Sequence, residues 1–283
     1  MESLNRMAVE LVDEAIDFAD ELAIEVQELD NNAMVLDFGV EAVDGAPLTH
    51  VEATTDHPAI ALLCAQKAGW ELTVDGFDGL GSGPARALVA EEEEFQRVDY
   101  RDASEFAVLA VESDELPGEA VAEHVAEMAG VPVSSVFLPT FATASVTGSV
   151  ALASRAAELA AFRLSELGYD PLDVLTAAGS APVAPVTDDD ETAMARTNDA
   201  LAYGGRAHLT VESDFERFNE VPSTAREQFG TPFADIFADH DWDFYEVPVE
   251  VFAPAQVTVD VIGEGVEVVG RTDESMLVES FGL

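Results

Sequence analysis

Acid is spread so evenly along this chain that any stretch without it has to be accounted for. Of 283 residues, 57 are Asp or Glu against 12 Lys or Arg, a formal net charge of −45. Such a chain folds only if nearly all of that acid stays at the surface, because an unpaired carboxylate is costly to bury. Residues 149–162, SVALASRAAELAAF, break the pattern. They hold one carboxylate, Glu158, and one base, Arg155, three positions earlier, and every other residue is small or apolar. A solvent-facing helix of this protein should carry several acids.

Charge of this magnitude suits a disordered tail, yet 48% of the residues are hydrophobic and 16 are Phe, which such a tail lacks. The length allows one large core or two modest ones, and two domains are expected, residues 1–98 and 99–283. Lys67 is the only lysine beside 11 arginines. Dispersed carboxylates with almost no Lys are expected of a cytoplasmic protein in molar salt, where screening acts over about 3 Å. A nucleic-acid mimic or a cation buffer would gather its acid in one block. The same field makes nucleic acid and anionic membranes poor partners. No apolar run approaches the roughly 20 residues of a membrane span, and residues 1–22 read as an acidic amphipathic helix rather than a signal peptide.

Helical spacing of Leu4, Met7, Leu11, Ala15 and Ala19 predicts a first helix, and residues 23–29 and 31–40 read as strands. A further helix opens at Asp56 to Pro58 and stops near Gly69. Residues 149–167 read as one helix ended by Gly168. Helices and strands interleave without a strict βαβ rhythm, which predicts an α/β fold of mixed sheets rather than a Rossmann sheet or a barrel.

The five histidines are scattered with no HExxH pairing, and the lone Cys64 excludes an intrachain disulfide or a multi-cysteine metal site. Cys64 itself reads as a core residue. No Walker loop, GxSxG elbow or GxGxxG follows a strand, so no metal, nicotinamide cofactor or strong nucleophile is expected. The run TDDDE at 187–191 reads either as a divalent-cation site or, preferably, as a helix N-terminus, where the macrodipole favours carboxylates. GLGSGPAR, with Ser82, Gly83 and Arg86, reads as an ordinary capped turn or as a phosphate cradle. Arg155 and Glu158 share one helix face. They form either a surface ion pair worth about 0.3–0.5 kcal/mol, or a carboxylate held in apolar surroundings beside a guanidinium, which suits a general base or acid.

Set side by side, QKAGW (66–70), GSGPARAL (81–88), GSVALASRAAE (148–158), GSAPVAP (179–185), ARTNDALAYGG (195–205), TPFADIF (231–237), FAPAQVT (252–258) and the terminal SFGL resemble the methenyltetrahydromethanopterin cyclohydrolase family. They come in the family's order over nearly the whole chain. The resemblance implies two α/β domains with the substrate between them, and a homotrimer or other homo-oligomer. It implies reversible addition of water to a methenyl carrier, tetrahydromethanopterin or tetrahydrofolate, without a metal or redox cofactor. The family's RxxE maps onto Arg155 and Glu158 as catalytic residues. Lys67, Ser82, Gly83, Arg86, Arg196, Asn198 and Asp199 lie in matching motifs as candidates for binding the carrier. The pattern departs after Gly39, where the family carries a Gly-rich segment of some tens of residues and this chain runs straight on to His50. The alternative reading is therefore a non-catalytic or divergent acidic relative without a complete pocket.

Overall fold

The computed structural model describes residues 35–283 apart from Asp44. The first helix and the strand over 23–29 lie outside the described residues, as does the start of the strand expected at 31. Strands β1 (Val35–Val43) and β2 (Ala46–Thr55) are neighbours in a six-stranded sheet. Between them Gly45 sits at φ +82, a backbone conformation that glycine adopts without strain. The turn falls within Gly39 to His50, the stretch where the resemblance implies a Gly-rich segment in the family.

Two compact units follow from the contacts, Ala59–Ala142 on one side, and Leu36–Pro58 with Thr143–Leu283 on the other. This division differs from the expected one at Val98. The reason is non-local pairing: β2 hydrogen-bonds to a strand far along the chain, which draws 36–58 out of the N-terminal half.

The 59–142 unit begins with the helix expected after Pro58, wound as a π-helix over Ala59–Gln66. Gly69 does not stop that helix but lies inside β3 (Ala68–Val74), which pairs with β4 (Phe77–Ser82). Short helices α1 (Ala85–Val89) and α2 (Glu93–Val98) follow, then β5 (Ala107–Val108), β6 (Ala110–Glu112), α3 (Glu119–Ala129), β7 (Val136–Phe137) and β8 (Thr140–Phe141). The strand order is β3-β4-β6-β8, with β5 and β7 a separate parallel pair. Trp70, Leu72, Leu109, Val111 and Val125 form its core. Cys64 packs with Ala87 and Phe95, as a core residue should, and burial pushes its thiol up to about 12.

The other unit continues through α4 (Val146–Ala153), α5 (Ala156–Glu166), β9 (Val174–Pro182), α6 (Asp190–Asp199), a π-helix at Ala200–Gly204, and β10 (Arg206–Val211). It closes with α7 (Phe233–Asp239), β11 (Gln256–Val261), β12 (Gly265–Gly270) and α8 (Glu274–Phe281). The sheet order is β1-β2-β9-β10-β11-β12. Only β10 and β11 run parallel among the pairings described for β2 and β9–β12, so the sheet is mixed, as the irregular alternation of elements predicts. In β11, Val257, Val259 and Val261 point inward and the residues between them are half-buried, the alternation of a strand with one face in the core. Each such buried Val contributes roughly 1.5–3 kcal/mol of transfer free energy.

Candidate functional site

The helix expected over 149–167 is two helices. Ser154 Oγ donates back to the Ala151 carbonyl at 2.7 Å, a bond that bends helices. Arg155 N bonds to the Leu152 carbonyl, three residues back, and its backbone (φ −88, ψ 2) falls in the sparsely populated bridge region. Arg155 is therefore the N-cap of α5, and Glu158 sits in that helix's first turn, where the macrodipole favours a carboxylate. The α5 helix is buried on nearly every side, and of its two acids Glu166 is exposed and Glu158 is buried.

Both Arg155 Nε and Nη2 donate to Glu158 Oε2 at 2.8 Å. Glu158 is 1% exposed and Arg155 21%, so this is not a surface ion pair. The second carboxylate oxygen, Oε1, is buried with no hydrogen-bond partner among the described residues. Against Ala157, between the two residues of the pair, lies Gly179 of GSAPVAP, in β9 between Ala53 and Ala207. A Cβ there would collide with the backbone N of Ala157 and lie 2.8 Å from its Cβ. Only a glycine lets the first turn of α5 rest this close to the sheet, and Glu158 with it.

The carrier-binding candidates separate into two groups. In the 59–142 unit, Arg86 is 0% exposed. Its Nε and Nη2 bond to Glu92 at 2.9 and 2.5 Å, its Nη1 bonds to the Lys67 carbonyl, and its guanidinium lies over the Phe95 ring. Gly69 is open for this pair, since a Cβ there would come 2.6 Å from both Arg86 Nε and Glu92 Oε2. Ser82 Oγ donates to the Gln66 carbonyl at 2.6 Å, and Gly83 takes a φ of +138. Arg86 and Ser82 thus bind QKAGW to GSGPAR. They are internal struts rather than a phosphate cradle, and α1 is too short to present one. Lys67 Nζ pairs with Glu94 Oε1 at 2.5 Å. Burial raises the Glu94 carboxyl, but the Lys67 hydrogen bond and charge outweigh it and leave the group below its ordinary value.

The second group lies on α6. Arg196 Nε donates to the Ser280 carbonyl at 2.9 Å, and Asn198 Nδ2 to Met194 of its own helix at 2.8 Å. Asp199 is 2% exposed and accepts from Phe233 N at 2.9 Å and from Ser280 Oγ at 2.6 Å. Burial pushes its carboxyl up to about 6, against the pull of those two bonds. Asp199 therefore ties together ARTNDALAYGG, TPFADIF and SFGL, a role that no local spacing reveals. The TDDDE run is a helix start: Asp189 caps α6 through Thr192 N, and Asp190 accepts from Ala144 N. No three His, Cys, Asp or Glu form a metal-holding cluster among the described residues, and none of their helices is long and apolar enough to cross a membrane.

Sequence reading missed Gly179 and Gly69 as spacers, and it missed Arg163, an arginine on the buried helix α5. The signal for Arg163 was present, because it follows Arg155 by eight positions in a stretch, 149–165, whose one acid is Glu158.

In class the chain is a hydrolase, of the kind that opens a ring. It belongs to the cyclohydrolase family: the model described as Cyclohydrolase (MCH) matches residues 3–47 and 41–281. The methenyltetrahydromethanopterin cyclohydrolase of Halobacterium salinarum is 53% identical over 310 residues, covering all of both chains. Those of Methanocella arvoryzae and Methanothermobacter marburgensis are each 38% identical, over all of this chain and at least 99% of their own. The Halobacterium alignment runs over 310 positions against this chain's 283 residues, 27 more. The family model's two matches meet at residues 41–47, around the β1–β2 turn.

Proposed function

We propose that the chain is a methenyltetrahydromethanopterin cyclohydrolase in which Glu158 moves the proton. The observation that carries this reading is the buried Glu158 carboxylate, with Oε2 held twice by Arg155 and Oε1 without a hydrogen-bond partner among the described residues. In the substrate the methenyl carbon bridges N5 and N10 as an amidinium cation, so it is already electrophilic and needs a base for water. Glu158 Oε1 takes a proton as water adds, and N10 receives that proton as the C–N10 bond of the adduct breaks. The hydroxyl proton of the adduct is then released and the N5-formyl carrier remains. Arg155 holds the carboxylate fixed, and it sets which oxygen faces the water. We assign Arg196, half-buried on the same unit as Glu158, to the anionic tail of the carrier.

The names of the relatives all carry tetrahydromethanopterin, which supports that carrier and lends none to tetrahydrofolate or to a non-catalytic protein. A homo-oligomer working without metal or redox cofactor completes the proposal. The test follows loss of methenyl absorbance in molar KCl with each carrier, for wild type and Glu158→Gln, with and without a chelator. Turnover on the methanopterin carrier, insensitive to chelation and reduced about 10²–10⁴-fold in Glu158→Gln with KM little changed, is expected. A Glu158→Gln variant with wild-type kcat removes Glu158 from the chemistry, and turnover on the folate carrier alone overturns the choice of carrier.

A further inference from the structure

The join between α4 and α5 stands immediately before Arg155, and one hydroxyl is built into it. In an unbroken helix the Ala151 carbonyl would accept from Arg155 N, four residues on. Here Arg155 N bonds to the Leu152 carbonyl at 3.0 Å, and Ser154 Oγ takes the Ala151 carbonyl at 2.7 Å. Two successive residues are unwound there, Ser154 at ψ −8 and Arg155 at ψ 2, about 34° and about 44° from the helical value near −42°. Beyond them the ladder resumes, with Leu159 N on the Arg155 carbonyl at 2.9 Å. No Gly or Pro lies between Val150 and Leu167, so the break is of the kind a side chain makes by entering the ladder. Ser154 is 5% exposed, and a buried hydroxyl bond is costly to lose.

We propose that Ser154 is a positioning residue for the Arg155–Glu158 pair, its hydroxyl holding the join open so that Arg155 grips one oxygen of Glu158 and leaves the other for water. The proposal rests on the reading of Glu158 as the base. In a regular helix each side chain leans toward the N-terminus, so a helical Arg155 would lean away from the turn that carries Glu158. At the open join it reaches forward, with both Nε and Nη2 on Oε2 at 2.8 Å, and Oε1 has no hydrogen-bond partner among the described residues. Without the hydroxyl, the bond left for the Ala151 carbonyl is the ordinary helical one from Arg155 N, and Ala is the strongest helix former. Ser154→Ala then winds the join toward a continuous helix and turns Arg155 off the carboxylate.

The test is a double-mutant cycle in the methenyl absorbance assay with the methanopterin carrier in molar KCl, over wild type, Ser154→Ala, Glu158→Gln and the double variant. Ser154→Ala should lower kcat about 10-fold with KM within about twofold, since a misplacement near 1 Å costs up to about 10²-fold in rate. In the Glu158→Gln background the same substitution should cost nothing further, because a residue that acts only through Glu158 has nothing left to position. A merely structural hydroxyl would lower Tm and leave the kcat of the folded enzyme, or lower kcat by the same factor in both backgrounds.

Ser154→Thr and Ser154→Val read the hydroxyl should Ser154→Ala fail to fold. They add similar bulk to the join, and only Thr can donate to a carbonyl of the preceding turn. Thr should exceed Val in kcat about 10-fold, the cost expected of a pair misplaced by less than about 1 Å. Equal kcat for Thr and Val overturns the proposal, and so does an equal loss from Ser154→Ala in both backgrounds. Ser154→Ala at wild-type kcat beside an impaired Glu158→Gln overturns the role of Ser154 alone. Glu158→Gln at wild-type kcat overturns the base, and the role of Ser154 with it.

Discussion

Gly179→Ala tests whether the first turn of α5 is positioned by its contact with β9. The new Cβ would lie 2.8 Å from the Ala157 Cβ and 2.9 Å from its Cα, and nearer still to its backbone N. Ordinary contact starts at 3.4 Å, so relief of the Cβ clash alone demands a retreat of at least about 0.6 Å, 3.4 less 2.8. Gly179 is pinned by Ala53 and Ala207 on either side, so α5 is the element that has to move. Glu158 follows Ala157 directly and moves with it. Overpacking of this kind costs about 1–3 kcal/mol, and a misplacement near 1 Å costs up to about 10²-fold in rate. The expected result is a Tm lower by about 2–10 °C and a kcat about 10–100-fold lower in the methenyl absorbance assay. Gly39→Ala is the control, since a Cβ there meets nothing within 4 Å. A Gly179→Ala enzyme with wild-type kcat and Tm refutes the positioning argument.

Asp199 gives a pH signature. Its carboxyl lies at about 6 in the folded protein against 3.8 when unperturbed, so the folded state holds the proton more tightly. Its contribution to stability is therefore full below about pH 4 and lost as the pH rises through 6, about 3 kcal/mol in all. The stability difference between wild type and Asp199→Asn, measured by denaturant unfolding across this range, should change with that sign; a flat difference means the buried charge is compensated elsewhere. Gly69→Ala should push Arg86 from Glu92 and destabilise the protein by about 3–5 kcal/mol, read in the same way, because it breaks a buried pair. Arg155→Met should lower kcat strongly and also lower Tm, since it leaves Glu158 buried without its only hydrogen-bond partner described; unchanged stability would mean that water already reaches the carboxylate.

Several features are local in origin and were legible along the chain. Most helix and strand positions follow from the spacing of apolar residues and from caps, as at Asp189, whose side chain takes the Thr192 N–H that the helix leaves over. The mixed α/β class follows from the order of those elements. Burial of Cys64 and of residues 149–162 follows from composition, because acid had to stay outside. Family membership was legible too, since it rests on the order of motifs and not on their geometry.

What the motifs are for was not legible, because each acts on a partner far along the chain. Gly69 reads as a helix stop until Arg86 and Glu92 are brought beside it. Gly179 is only the first residue of a matching motif until α5 is laid across it. Asp199 reads as a candidate for binding the carrier until Phe233 and Ser280 bond to it. The break at Ser154 and Arg155 interrupts a stretch whose periodicity is continuous. The sequence by itself determined that one Arg and one Glu would stand three positions apart in a stretch, 149–162, otherwise free of charge. Only the tertiary structure decided that one oxygen of that Glu is held by Arg155 and the other has no hydrogen-bond partner among the described residues, because that depends on what packs around the first turn of α5.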